Sequence, residues 1–244
     1  MKILKERSQN IYVWRNIHLN KGRIIIFLIL FILALMLFIM NRVPYASIGL
    51  VMILLSYVLG IYAYRRYITW KSGSEGETLV INTLRELDDS YRMINGIVIP
   101  PNRGDTDHII IGKNGIFVIE AKNYSGEIYC DSDVWSRYKI GRAGRAYELE
   151  IGSPSNQVKR NSKVLKDFIL EHQNEIFYNN APHIWVHGIV VFTDKNAVLK
   201  LKNPTVPVVR LDDLCNFIKE QKSEFQLSEK EIGNMCDVIL KYST

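Results

Sequence analysis

Three charged residues stand where two apolar runs ought to be dry. Residues 106–126 read TDHIIIGKNGIFVIEAKNYSG. Asp107 precedes Ile109, Ile110 and Ile111, while Glu120 and Lys122 follow Phe117, Val118 and Ile119. Burying an unpaired carboxylate costs several kcal/mol, so a compensating group must face these charges. Residues two apart in a strand share a face, which sends Glu120 and Lys122 one way and Ala121 the other. Lys113-Asn114-Gly115 marks a hairpin turn. With Lys113-Asn114 as the loop, Asp107 stands opposite Glu120; with Asn114-Gly115 it stands opposite Lys122. Either register gathers the three side chains on one face. Two carboxylates so close raise each other's pKa unless something positive joins them. A hard divalent cation, Mg²⁺ or Mn²⁺, does this through oxygen ligands while keeping waters, and Lys122 would position or help deprotonate one of them. The triplet also reads as a plain salt bridge, Lys122 with one carboxylate, at the end of an ordinary hairpin.

Two further residues favour a shared partner. A helix from about Ser74 to Leu87 carries Glu77 on one stripe with Val80, Ile81 and Leu84. A second helix starts at Ser153-Pro154, an N-cap followed by proline in the first turn, and runs to about Glu171. On it Gln157 shares a face with Asn161, Leu165 and Phe168. A first-turn carboxylate at Glu77 and an exposed first-turn Gln157 are the plain alternatives.

The remaining elements alternate. Strands are expected at Tyr91 to Ile99, Glu127 to Asp131, Trp135 to Ile140, His183 to Thr193 and Val206 to Leu211. Helices are expected at Asp212 to Gln221 and Ser228 to Tyr242, the last opened by a Ser228/Glu231 capping box. This order predicts an α/β domain with a mixed central sheet flanked by helices.

Glutamate on a first helix, aspartate at the start of one strand and Glu-x-Lys at the end of the next resemble the PD-(D/E)xK nuclease superfamily. GSEGE (73–77), TDHIII (106–111), GIFVIEAKNYSG (115–126), SPSNQ (153–157) and VPVVRLDDL (206–214) more closely resemble the nuclease-related domain, NERD. The likeness covers roughly residues 73–220 and implies a restriction-endonuclease-like fold. It also implies that Asp107 and Glu120 hold a Mg²⁺ or Mn²⁺ ion with the Ala121 carbonyl. Lys122 would then serve the attacking water, Glu77 would be an auxiliary ligand or water-orienting group, and Gln157 a supporting one. Thr106 stands where the superfamily's proline would be. The chemistry implied is hydrolysis of a phosphodiester, DNA before RNA, with charge on the phosphate offset by the metal.

A nuclease needs cations along the backbone path. Between Trp135 and Lys166 stand Arg137, Lys139, Arg142, Arg145, Lys159, Arg160, Lys163 and Lys166, against Glu148 and Glu150. Lys159, Lys163 and Lys166 share a helical face, and Arg142 and Arg145 ride the GRAGRA loop (141–146). This is a candidate nucleic-acid track; a solvated helix face near anionic lipid is the alternative. His108 points away from Asp107 by strand alternation, and His183 and His187 share a face with Trp185; structural roles are expected for all three.

The chain has 244 residues and a formal net charge of +6. Residues 1–70 hold nine Lys/Arg and one Glu, while residues 71–244 are net −2, so the basic balance is not evidence for nucleic acid. Ile24 to Met40 is seventeen consecutive apolar residues, and Tyr45 to Tyr64 is twenty without a charge. Such runs match the ~20 residues a helix needs to cross a bilayer. The expected organisation is a basic segment 1–22, membrane spans at 23–42 and 43–66, and a domain at 71–244. Cations flank the outer ends of the spans, while the turn between them holds only Arg42. Both termini are therefore expected in the cytoplasm of a cell-membrane protein. Ser56 and Gly60 form a small-xxx-small pair that could pack the hairpin or a homodimer. Cys130, Cys215 and Cys236 lack paired spacing and are expected to be idle thiols.

Overall fold

In the computed structural model, residues 1–5, 11–40, 42–102, 104–141, 144–178, 183–222 and 226–243 are described. The chain divides into two units. One takes residues 9–74; the other takes residues 1–8 together with residues 75–244.

The smaller unit contains α1 (Ile11–Ile39) and most of α2 (Tyr45–Leu84), both long and apolar enough to cross a membrane. Leu28, Met36, Leu55 and Val58 are each at least 58% exposed, so the helices present apolar side chains outward rather than to a core. What they bury are small residues. A Cβ on Gly49 would lie 2.7 Å from the Phe38 amide nitrogen and 2.8 Å from the Ala34 carbonyl oxygen. Gly60 lies against Phe27, while Ser56, Ala34 and Ala63 are buried. The small residues of α2 thus let two backbones of the same chain approach. The helical segment expected from Ser74 is continuous with the second apolar helix; α2 runs on to Leu84 through Gly73 and Gly76, residues of poor intrinsic helix propensity.

The larger unit is mixed α/β with two sheets. Its strands are β1 (Lys2–Lys5), β2 (Arg92–Ile97), β3 (Thr106–Gly112), β4 (Gly115–Lys122), β5 (Gly126–Asp131), β6 (Val134–Ile140), β7 (Ala146–Glu150), β8 (Val186–Phe192), β9 (Ala197–Lys202) and β10 (Val208–Arg210). Six strands form one sheet in the order β1-β2-β3-β4-β8-β10, and four form another, β7-β6-β5-β9. In the larger sheet β2, β3 and β4 are antiparallel neighbours, and β4–β8 and β8–β10 are parallel.

Each face of the six-stranded sheet is apolar because its central strands are unbroken runs. Ile109 and Ile111 face one core with Val118, and Ile110 faces the other with Phe117 and Ile119; all are at most 1% exposed. Each such side chain contributes about 1.5–3 kcal/mol on burial. The first core is closed by α3 (Pro154–Glu171) through Val158, Leu165 and Phe168, and by α6 (Glu229–Tyr242) through Ile232 and Met235. The second takes Val80 and Leu84 from the end of α2, and Leu214 and Ile218 from α5 (Leu214–Glu220). A four-residue helix, α4 (Gln173–Ile176), follows α3.

Several elements differ from the sequence expectation. One sheet was expected and two form. β1, β7 and β9 were not expected as strands, and residues 1–8 join the unit expected to begin at residue 71. Cys130, Cys215 and Cys236 are free and buried.

Candidate active site

The hairpin register places the charges. Gly112 pairs with Gly115 and His108 with Ile119, so Lys113-Asn114 is the loop and Asp107 stands opposite Glu120. This is the first of the two registers that the sequence allows. Gly115 takes φ +142, a conformation that side chains rarely adopt. The Asn114 amide is drawn outward to the Ile218 carbonyl at 2.7 Å.

The triplet and Gln157 meet on the α3 side of the sheet. Asp107 Oδ2 accepts the Ala121 N–H at 2.9 Å, which ties the carboxylate to the end of β4. The Lys122 ammonium donates to Glu120 Oε1 at 2.6 Å and to Gln157 Oε1 at 3.2 Å. Glu120 is 2% exposed, and its Oε2 is buried without a hydrogen-bond partner among the described residues. Burial first, and then the charge of Asp107, push the Glu120 carboxyl up to about 8, against the pull of Lys122. Burial also works to discharge Lys122, but the charges and hydrogen bond of its acidic neighbours outweigh it and raise its pKa. Two carboxyls beside one ammonium cannot both ionise cheaply, so Glu120 holds a proton near neutrality while Lys122 keeps its charge.

This donor set fits a divalent cation. A bound cation would supply Oε2 with its missing partner and offset the charge that Asp107 and Glu120 impose on each other. Among the described residues no cluster of three His, Cys, Asp or Glu side chains could hold a metal ion, so the carboxylate set here is the pair. Glu77 is half-buried and sits outside such a cluster. Its helix is nevertheless brought to the end of β4 by Gly76, where a Cβ would lie 2.8 Å from Asn123 Cβ and 3.1 Å from Thr193 Oγ1. The atom of Ala121 seen to engage the site is its amide nitrogen, which holds Asp107.

α3 owes its position to the Ser153 cap that the sequence predicts and to polar residues that it does not single out. Ser153 caps it, accepting from the Asn156 N–H at 3.2 Å. Ser155 accepts from the Trp135 indole at 3.0 Å and donates to Asp133 Oδ1 at 2.6 Å. Asp133 also accepts from Thr205 and from Lys159, hydrogen bonds that hold its carboxyl down to about 2, that of Lys159 foremost. Asn161, 1% exposed, accepts from Asn102 and donates to the Asp105 carbonyl, which fastens the segment leading into Asp107. Asn161 was named in the sequence only as a face-mate of Gln157. Asp133 carried no sequence signal, since its partners lie on α3 and at Thr205, more than twenty and more than seventy residues on.

The basic patch is less open than its sequence count suggests. Lys159 pairs with Asp133 at 2.7 Å and Lys163 with Asp167 at 2.7 Å, two acids just outside the counted window. Lys166 lies over the Trp185 ring, 5.6 Å from its centroid. Arg137 donates to the Ser125 carbonyl at 2.7 Å and covers the Tyr124 ring, pinning the turn that follows Lys122. Arg145 is exposed, and Arg142 lies outside the described residues. His108 is buried and bonds to Asn95 at 2.8 Å, and His187 stacks on Phe117 with its pKa lowered by burial, both structural arrangements. His183 is exposed.

A model of the nuclease-related domain, NERD, matches residues 72–193, half of the chain. The chain belongs to the NERD family. The matched stretch contains Asp107, Glu120, Lys122, Gln157 and the end of α2 with Glu77, so the NERD domain and the gathered polar cluster coincide. An uncharacterized protein of Bacillus anthracis is 45% identical over 64 residues, 25% of this chain and 30% of its own length; the chain thus spans under a third of that relative. No solved structure matches the chain. Membership in NERD supports a nuclease-related function.

Proposed function

We propose that this NERD protein is a membrane-anchored, divalent-metal-dependent nuclease that hydrolyses phosphodiester bonds of DNA, and of RNA second, at the cytoplasmic face. The observation that carries the reading is the buried, partnerless Glu120 Oε2 beside Asp107 and Lys122. A folded chain keeps so costly a carboxylate where a ligand compensates it. Its central sheet, mixed in direction with α3 on one face and the end of α2 on the other, supports the restriction-endonuclease-like class.

Asp107 and Glu120 would hold Mg²⁺ or Mn²⁺, with the Ala121 carbonyl and Glu77 as further oxygens. When bound, the ion acidifies a water and offsets charge on the phosphate. Asp107 is pre-aimed by the Ala121 N–H, so little reorganisation is needed to present the carboxylate to an ion. Lys122, held by Gln157, keeps a positive charge close to the carboxylates, where it orients the attacking water and stabilises the developing phosphorane charge. Arg145, Lys163 and Lys166 would guide the nucleic-acid backbone, with Arg142 and Lys159 beside them. For Lys159 this means exchanging Asp133 for a phosphate.

Spans at 23–42 and 43–66 with both termini cytoplasmic remain the organisation proposed. The cation asymmetry supports it, and so does the pairing of β1 with β2. Residues before the first apolar helix and residues after the second belong to one sheet, which requires an even number of crossings between them. A reporter fused after Thr244 is expected to be active only when it is a cytoplasmic type; activity of an external type would overturn the orientation.

The second reading is a non-catalytic nucleic-acid- or protein-binding module. The closed Lys122–Glu120 pair favours it, because an ion pair satisfies both groups in part without a metal. The full-length protein in detergent, given Mg²⁺ or Mn²⁺ and plasmid, linear, single-stranded DNA or RNA, separates the two. Cleavage abolished by EDTA is expected; salt-sensitive binding without cleavage under any of these conditions would establish the module.

A further inference from the structure

The first strand of the chain reaches the neighbour of Asp107 through two hydrogen bonds. β1 is an edge strand of four residues, parallel to β2, with Lys2 paired to Arg92 and Ile3 to Met93 before the register shifts at Lys5. Its last carbonyl, on Lys5, accepts the Asn95 side-chain amide at 3.1 Å. That donation fixes which way the Asn95 amide points, leaving its oxygen to face His108 Nδ1 at 2.8 Å. His108 Nδ1 must therefore carry the proton of that bond. Asn95 and His108 are 1% and 0% exposed and are direct partners across β2 and β3. Asp107 is the next residue on β3, and its carboxylate is already tied to β4.

We propose that Asn95 and His108 are positioning residues that make the placement of Asp107 depend on the docking of β1. The proposal rests on the metal-site reading of Asp107 for its functional meaning, though not for its geometry. A buried amide that loses its acceptor must turn or admit water, since a stranded donor is costly in a dry interior. When β1 leaves β2, the Asn95 amide loses the Lys5 carbonyl and with it the fixed orientation that His108 bonds to. The strand segment at 107–108 then loses a constraint on the side opposite the site. β1 is short and at an edge, which puts it among the elements that open most readily. The arrangement makes metal affinity sensitive to whether β1 is docked on β2.

Full-length protein in detergent tests this with two readouts, Mn²⁺ affinity by calorimetry and amide hydrogen exchange across residues 106–110. Deleting residues 2–5 is expected to weaken Mn²⁺ binding about 10-fold or more, the scale seen when groups orienting a ligand are lost. It is also expected to speed exchange at 107–109, amides on β3 that β1 itself does not pair. In an Asn95→Leu/His108→Leu background both ends of the side-chain bond are apolar, the Lys5 carbonyl at the sheet edge gives up one donor, and the fold is expected to hold. There the same deletion is expected to leave Mn²⁺ affinity and the exchange of 107–109 unchanged. Equal effects of the deletion in both backgrounds, or none in the native background, would overturn the relay. Absence of Mn²⁺ uptake by the intact protein would instead overturn the metal-site reading, and the exchange comparison would still decide the relay.

Discussion

Replacing Glu120 with Gln is expected to abolish metal-dependent cleavage and at the same time to raise the melting temperature of the metal-free protein. Both effects have one cause. Glu120 is 2% exposed with a carboxyl held up to about 8, against an ordinary value of 4.5. A group whose folded pKa is raised binds more protons in the folded state between those two values. Its contribution to stability is therefore complete below about 4.5 and is lost as the pH climbs towards 8. At pH 7 keeping this carboxyl protonated in the fold, when it would ionise in the unfolded chain, costs on the order of 3 kcal/mol, a large share of a domain's net stability. Glutamine keeps the shape and an acceptor for Lys122 but never ionises. Thermal unfolding of the Glu120→Gln protein should lose the downward slope with pH across that window. Unfolding at a lower temperature than native at pH 7.5, without metal, would contradict the electrostatic account of the site.

The second large effect separates uptake of the ion from its use. Lys122→Met is expected to cut cleavage by about 10²–10³-fold, the scale of removing one preorganised charge from a developing anion. It should leave Mn²⁺ binding in place or strengthen it. Lys122 competes with the ion for Glu120, donating to Oε1 at 2.6 Å, so removing the ammonium frees that oxygen. Asp107→Ala should lose both properties, because it deletes an oxygen donor and leaves the Ala121 N–H without its carboxylate. Lys122→Met that cleaves at the native rate would exclude the lysine from the chemistry. Lys122→Met that cannot bind Mn²⁺ would make it a structural member of the pair.

Much of the site was readable because strand alternation and helix periodicity are local rules. They put Asp107, Glu120 and Lys122 on one face and aimed Gln157 at them, as the structure shows. Which hairpin register forms was not readable. Lys113-Asn114 and Asn114-Gly115 are both competent turns, and the Asn114 amide bonds to the carbonyls of Ile218 on α5 and of Gln221 just beyond it, more than a hundred residues on. β1 was missed for a similar reason. KILK is too short and too charged to announce a strand, and its hydrogen-bonding partner lies in β2, some ninety residues away. A helix was expected to begin at about Ser74, whereas α2 runs through from Tyr45 and uses Gly76 to come close to Asn123. The basic count of the α3 region overstated its free charge, because Asp133 and Asp167 stand just beyond either end of the counted residues.

The central claim is that Asp107 and Glu120 converge on one divalent ion. Calorimetric titration of the full-length protein with Mn²⁺ at pH 7, in two buffers of different ionisation enthalpy, tests it most directly. One ion per chain is predicted, bound with release of a proton from the pair, and neither uptake nor release is predicted for Asp107→Ala or Glu120→Gln. Native protein that takes up no Mn²⁺, or variants that bind it as the native protein does, would contradict the account.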